Sequence, residues 1–393
     1  MSPSRWQLVR TFFRIGATSY GGPAIVAQIR DVTVIRKHWL TEDEFRESLA
    51  FAQTLPGPIA VATAAHIGWR LHGVFGTFLA MVAYVSPAFL LMLGLSAGYF
   101  HFEGMPSLTT AFRGLGAAVV AIVVQSIMSM AQPALRNWQG LGIAAGAAVG
   151  FFAGADSLLV LLAAAIAGVL VGLAWPAAQE PAAEPTLPAN VGGAYHRTVL
   201  ATTAVALAFV VALSASRLIS PRFPTLGVMM AKINLVAFGG GYTAIALMFH
   251  DVVHNPATAW LTSKEFIDGL ALGQITPGPV SITATFIGYR VGGILGAVFA
   301  TVCIFLPSSL LLVLLAPHFA RLRHIAVVQD AVSGLLAAFI AMLLHVLAEV
   351  AKSAFLGPWD IALAVAAIAA LRLRVNVVWV VLGSVMLSVL LFR

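Results

Sequence analysis

"TLPGPIAVAT", Thr54 to Thr63, breaks a stretch that otherwise has the composition of an apolar helix. A proline in a helix interior costs about 3 kcal/mol, because it lacks an N–H and its ring collides with the preceding turn. Two prolines around a glycine are therefore a built interruption, and "ITPGPVSITA", Ile275 to Ala284, repeats it in the second half of the chain. The surroundings say what is interrupted. The 393 residues are 60% hydrophobic and only 9% charged, against roughly 25% charged in soluble domains, and the mean hydropathy is +0.95. Apolar runs recur from end to end, long enough for helices crossing a hydrocarbon core about 30 Å thick. The predicted fold class is all-α: a polytopic integral membrane protein of about 12–13 transmembrane helices, in two inverted-topology repeats with broken helices.

Apolar segments fall at 8–35, 47–69, 73–100, 111–131, 140–154 and 156–176, and again at 225–249, 267–289, 293–316, 326–350, 357–371 and 375–392. Between the sets lies "PAAQEPAAEPTLPANVGGAYHR", which has nothing to bury and reads as a solvated linker, followed by one unpaired span at 199–215. The expected organisation is a first repeat at 1–176, a linker with an extra helix at 177–222, and a second repeat at 223–393. The arginine-bearing N-terminus lacks a signal-peptide cleavage pattern and is expected to stay in the first span. The single Cys303 rules out an intramolecular disulfide and a thiolate metal cage. No metal site and no cofactor are expected. The net charge of +7 is scattered among loops, which argues against nucleic acid and for attraction to anionic lipid or an anionic solute.

The halves align residue by residue. Tyr20-Gly21-Gly22-Pro23 matches Phe238-Gly239-Gly240-Gly241, so Arg14 falls on Lys232. "WLTEDEF" from Trp39 matches "WLTSKEF" from Trp260, Gln53 matches Gln274, and Pro56-Gly57-Pro58 matches Pro277-Gly278-Pro279. Gly68, Arg70, Gly73, Gly76 and Pro87 then match Gly288, Arg290, Gly293, Gly296 and Pro307. Six spans, one extra and six more place the second repeat upside down relative to the first, as in many secondary transporters. Loop Lys and Arg divide ten to ten between the two sides, so the positive-inside rule leaves orientation open; the N-terminus is taken as inside.

Each repeat opens a helix with Leu-Thr-x-x-Glu-Phe, where Thr41 with Glu44, and Thr262 with Glu265, spell a capping box. That helix runs to Pro-Gly-Pro, and a second half-helix starts with Pro58 or Pro279 in its first turn. Gly21-Gly22-Pro23 and Gly239-Gly240-Gly241 interrupt the first span of each repeat in a similar way. Freed backbone groups cost several kcal/mol in lipid unless protein or a watery cavity receives them. A half-helix N-terminus offers a use, since its free N–H groups and partial positive charge attract an anion. The candidate binding residues are therefore Gly21, Gly22, Pro23, Pro56, Gly57, Pro58, Gly239, Gly240, Gly241, Pro277, Gly278 and Pro279. Gln53 and Gln274 are candidates to donate amide hydrogen bonds to an oxyanion, or to bond between helices. Arg14 and Lys232, seven residues before their breaks, either share an anion's charge or snorkel to the interface. Arg70 and Arg290 read as interfacial anchors, and Glu44, Glu47, Glu265 and Asp268, near the capped helix ends, as structural groups in preference to a proton relay.

At these residues the chain resembles the chromate ion transporter family in its long two-domain form, through "SYGGPAIVAQI", "LTEDEFRESLAFAQTLPGP", "AFGGGYTAIAL" and "LTSKEFIDGLALGQITPGP". Tyr20 departs from the usual phenylalanine before Gly-Gly, and Gly241 stands where the first repeat has Pro23. The resemblance implies export of chromate across the bacterial inner membrane, chromate resistance, and use of the proton-motive force. The partners expected are a small inorganic oxyanion, with sulfate as the rival to chromate, and membrane lipid; assembly as a homodimer is left open. An intramembrane enzyme would need a nucleophile or acid–base pair at membrane depth, which the sequence does not offer. A channel is disfavoured by the long repeat, which suits alternating access.

Overall fold

A computed structural model describes residues 3–20, 22–102, 106–135, 137–175, 192–318 and 325–391. These form fifteen α-helices and no strand. The first repeat contains α1 (Arg5–Thr18), α2 (Gly22–Arg30), α3 (Glu42–Thr54), α4 (Ile59–His101), α5 (Pro106–Ala134), α6 (Trp138–Phe152) and α7 (Ser157–Ala174). After α8 (Gly192–Ala215) the same order returns as α9 (Phe223–Val236), α10 (Gly241–Phe249), α11 (Ser263–Ile275), α12 (Thr283–Leu315), α13 (Ala326–Ala354), α14 (Pro358–Arg372) and α15 (Val377–Leu391). Both α2 and α10 end in a π-helical turn, Asp31–Arg36 and His250–His254, at matching places. Residues 177–191 of the expected linker lie outside the described set.

The chain reverses at its breaks, and this changes the reading of 47–69 and 267–289 as broken spans that continue across the membrane. Arg70, near the end of the first limb of α4, pairs with Glu44 at 3.0 Å and Glu47 at 2.7 Å, near the start of α3. Nearer the tip the Phe51 ring meets His66 edge-on at 4.9 Å. The limbs therefore lie antiparallel, with Pro56-Gly57-Pro58 at the tip. The second repeat does the same: Arg290 lies 3.3 Å from Glu265, and Gly269 sits against the Phe286 ring. The cause is local. Gly57 and Gly278 hold φ of 102° and 109°, a region open to glycine that turns the chain back between two proline-fixed residues.

A second reversal follows within α4. A straight helix of 43 residues would measure about 65 Å, twice the hydrocarbon thickness. At His72 and Gly73 the backbone leaves helical geometry, and the chain doubles back so tightly that a methyl on Gly68 would collide with the Gly76 carbonyl. Gly292 and Gly293 repeat the turn in α12, where Thr285 and Thr301, equidistant from Gly293, share a hydrogen bond of 2.7 Å. Each repeat thus holds a re-entrant hairpin followed by a returning long helix. Among the described residues, six stretches of helix have the length and hydropathy to cross a membrane.

Packing between elements is reciprocal. α1 packs on α4 as α9 packs on α12; α5 packs on α14 and α15 as α13 packs on α6 and α7; α4 meets α12 and α5 meets α13. Backbone crossings carry the same pairing. A methyl on Gly114 would collide with the Ser384 carbonyl, and one on Gly334 with the Ala164 carbonyl, two contacts related by the same shift of 220 residues. The α5 and α13 helices of each half thus embrace the last two helices of the other, which makes the repeats one interlocked body.

Candidate functional site

The four breaks meet in pairs across the repeats. The Gly57 amide donates to the Ala237 carbonyl at 2.8 Å, and the Gly278 amide donates to the Ser19 carbonyl at 2.9 Å. Ser19 and Ala237 are equivalent positions at the ends of α1 and α9, so each Pro-Gly-Pro tip is tied to the first break of the opposite repeat. Side chains complete the seam. A methyl on Gly57 would lie 2.9 Å from Asn234 Nδ2 and Ser308 Oγ; one on Gly278 would lie 2.9 Å from the Ala88 methyl. Pro307 removes one helical donor of α12, and the next amide, Ser308, turns to Asn234 Oδ1 at 2.7 Å. The residues from Leu55 to Pro58 and from Thr276 to Pro279 are buried.

This corrects part of the expectation. The glycines of Pro-Gly-Pro serve close approach to protein backbone, and their amides are already engaged. In the glycine break of the second repeat, Gly240 and Gly241 are open, whereas Gly239 is closed in by Leu336 and Met130. At Gly240, with φ of 113°, an added methyl would meet only the Ile59 side chain within 4 Å, at 3.9 Å. At Gly241 it would find Val280 and the Ser281 amide and hydroxyl at ordinary distances of 3.5 to 3.7 Å. The first turn of α10 and the turn Val280–Ile282 that leads into α12 therefore start side by side. Two helix N-termini in contact concentrate free N–H groups and positive dipole ends of one sign. α2, which starts at Gly22, packs against α4. Gly21 lies outside the described residues.

Among the described residues, three buried donors on the elements of this seam have no hydrogen-bond partner: Asn234 Nδ2, Gln274 Nε2 and Ser281 Oγ. Their residues are 1%, 8% and 0% exposed, a burial at which an unmet donor costs about 1–3 kcal/mol. Sequence reasoning named Gln274 and missed the other two. Asn234 was findable, since an amide two residues beyond Lys232 in an apolar helix needs a partner.

The remaining candidates separate. Gln53, the counterpart of Gln274, is exposed, and so is Arg14. Lys232 is neutralised by Asp251, with Nζ and Oδ2 2.6 Å apart, so its charge is held by protein. Asp251 sits in the π-turn after α10 and also faces His250 at 3.3 Å. Lys232, Asp251 and His250 line a cavity of about 20 Å³ with Asp156, which caps α7, and Ser157, its first residue. Arg70 and Arg290, read as interfacial anchors, pin the open ends of the hairpins to their acidic residues. The capping boxes form as expected, with Thr41 and Thr262 accepting from the amides of Glu44 and Glu265, both at 3.2 Å. At the approach to α3, the Arg30 guanidinium bonded to Glu42 holds that carboxyl below its usual range.

The family model described as chromate transporter matches residues 6–173 and again 224–389. A chromate transport protein of Pseudomonas aeruginosa is 33% identical over 98% of this chain and 92% of its own length. One from Cupriavidus metallidurans is 33% identical over 88% of this chain and 82% of its own, and an uncharacterised transporter of Methanocaldococcus jannaschii is 30% identical over 99% and 95%. No solved structure matches the chain. With two copies of the family's domain in one chain, interlocked at their breaks, this multi-pass membrane protein belongs to the chromate transporter family.

Proposed function

We propose that this protein exports chromate across the bacterial inner membrane and so confers chromate resistance, with the proton-motive force as the driving energy. The observation that carries the reading is the convergence of α10 and the Val280–Ile282 turn at their N-termini, beside buried donors of Asn234, Gln274 and Ser281 that lack partners. A tetrahedral dianion supplies what such a site lacks: acceptor oxygens in several directions and a charge that two dipole ends favour. By the symmetry of the repeats, Gly22, Pro23 and the first turn of α4 are assigned the corresponding role in the first repeat, with Pro56-Gly57-Pro58 and Pro277-Gly278-Pro279 as the rigid tips.

Limb length supports an inverted arrangement. α3 and α11 each have 13 residues, about 20 Å of helix. Two such hairpins entering from opposite faces meet at the middle of a bilayer about 40–45 Å thick with its headgroups. Alternating access follows if the two mouths open in turn. The direction of flux follows from charge, because expelling a dianion from a negative interior is downhill by about 4.6 kcal/mol per 100 mV.

Chromate uptake by everted membrane vesicles tests the reading, with sulfate as competitor. Saturable uptake that grows with an inside-positive potential is the expected result. Sulfate competing at equal concentration reassigns the substrate to tetrahedral oxyanions at large, since backbone and amide donors sense shape and charge rather than the central atom. Ohmic current without saturation makes the protein a pore and overturns the reading.

A further inference from the structure

The mouths of the two hairpins carry equivalent acids in unlike settings. In the first, Glu44 and Glu47 are partly exposed and both pair with Arg70. In the second, Glu265 and Asp268 are one helical turn apart on α11 and are 7% and 1% exposed. Arg290, the counterpart of Arg70, does not reach Asp268. Its Nε approaches Glu265 Oε1 at 3.3 Å without hydrogen-bond alignment, so that this buried oxygen has no partner, and its guanidinium lies 5.5 Å from the Phe100 ring. Asp268 Oδ2 instead accepts the Tyr99 hydroxyl at 2.8 Å and Lys264 Nζ at 3.2 Å.

We propose that Asp268 is the proton-binding group of this transporter and that its protonation state sets how firmly the second hairpin is held to the first repeat. Two buried carboxylates one turn apart, with one arginine set against the other acid, favour a proton on one of them. Lys264 is a weak restraint on the charge: it is 60% exposed and lies over the Phe112 ring at 5.8 Å. The groups that face Asp268 are thus Tyr99 from α4 and, from α11 itself, Lys264 and Glu265, with Arg290 of α12 behind Glu265; α5 presents Phe112. Tyr99 belongs to the first repeat and Asp268 to the second. Their bond spans the repeats, and a proton on the carboxyl releases Lys264 and weakens the bond from Tyr99. The second hairpin, whose other end carries Gln274 and Pro-Gly-Pro, is then freed to move.

The inference rests on the transport reading above, and the test keeps the two apart. The full chain in proteoliposomes is assayed for chromate and sulfate flux between pH 5 and 8 at clamped voltage. If the wild type carries neither anion, the transport reading fails; if it carries either with a flat pH profile, this proposal alone fails. The expected result is a sigmoidal pH dependence that disappears in Asp268→Asn and persists in Glu47→Gln. An Asp268→Asn variant that keeps the wild-type profile overturns the proposal. Should that variant be inactive or misfold, Tyr99→Phe decides. Losing a hydrogen bond to the charged form moves the midpoint up by about one pH unit, and an unmoved midpoint overturns the assignment.

Discussion

Every residue of α11 from Glu265 to Gln274 is buried, whereas on α3, its counterpart, only Phe45, Ser48, Phe51 and Ala52 are. The local code of the two hairpins is nearly the same, with a capping box, a limb of 13 residues and a Pro-Gly-Pro tip. Their neighbours differ. α11 lies against α5, α13 and α15 as well as α12, while α3 rests on α4. Gln274 is therefore sealed and Gln53 is open. On the transport mechanism proposed above, such a difference is what one member of a pair of states would show. The other state of such a cycle would dock α3 onto α13 and α7, the counterparts of α5 and α15, and uncover α11.

The largest effect that bears on this comparison is expected at the tips. Gly57→Val or Gly278→Val places a branched side chain at positive φ against atoms 2.9 Å from the first carbon, so the seam between the repeats has to open. Flux falls by about a hundredfold or more with either substitution, because displacing bound-anion donors by about 1 Å suffices for such a loss, while the protein still inserts. If one variant alone is inactive, the two tips do not contribute equally and the symmetric reading breaks. The double change Pro56→Ala with Gly57→Ala, which restores helix-forming residues to the Pro-Gly-Pro tip of the first repeat, is expected to abolish transport as well.

A smaller effect is expected at the glutamines. Gln274→Ala removes a buried donor and raises the half-saturating chromate concentration about tenfold, the value of one hydrogen bond to a charged group. Gln53→Ala does less under conditions that favour the state described here. Equal effects would mean that both amides touch the anion in one conformation. Accessibility separates these directly. In a protein whose one native thiol, Cys303, is buried, Gln53→Cys reacts with a water-soluble maleimide and Gln274→Cys does not. Turnover with chromate raises the reactivity of Gln274→Cys and lowers that of Gln53→Cys. Reactivities that stay fixed during turnover would remove the second state.

Much of this hinge architecture was legible in the sequence, because breaks, caps and repeats are local and leave local marks. Thr41 with Glu44 and Thr262 with Glu265 cap as their spacing says, and α1–α7 recur in order as α9–α15. The sense of the breaks was not legible. Pro-Gly-Pro reads the same whether the second limb runs onward or back, and only the tertiary contacts of Arg70 with Glu44 and Glu47 decide it. Charge partners were hidden for a similar reason. Lys232 looked available to an anion until Asp251, 19 residues on, folded back to within 2.6 Å. Tyr99 and Asp268 are 169 residues apart and belong to different repeats, beyond the reach of any spacing rule.

The smallest effect belongs to the exposed mouth. Arg70→Gln removes two ion pairs whose acids are 39% and 47% exposed, and such pairs contribute about 0.2–1 kcal/mol each. The expected fall in melting temperature is a few degrees, at about 2–4 °C per kcal/mol, and it shrinks in 1 M salt, where screening acts over about 3 Å. Arg290→Gln behaves differently despite the matching position. It strips the one arginine from Glu265, 7% exposed, and leaves two buried acids facing each other, so its cost is larger and resists salt. Equal, salt-sensitive losses at both arginines would show that the second mouth is as wet as the first, and the contrast between the hairpins would then be one of shape alone.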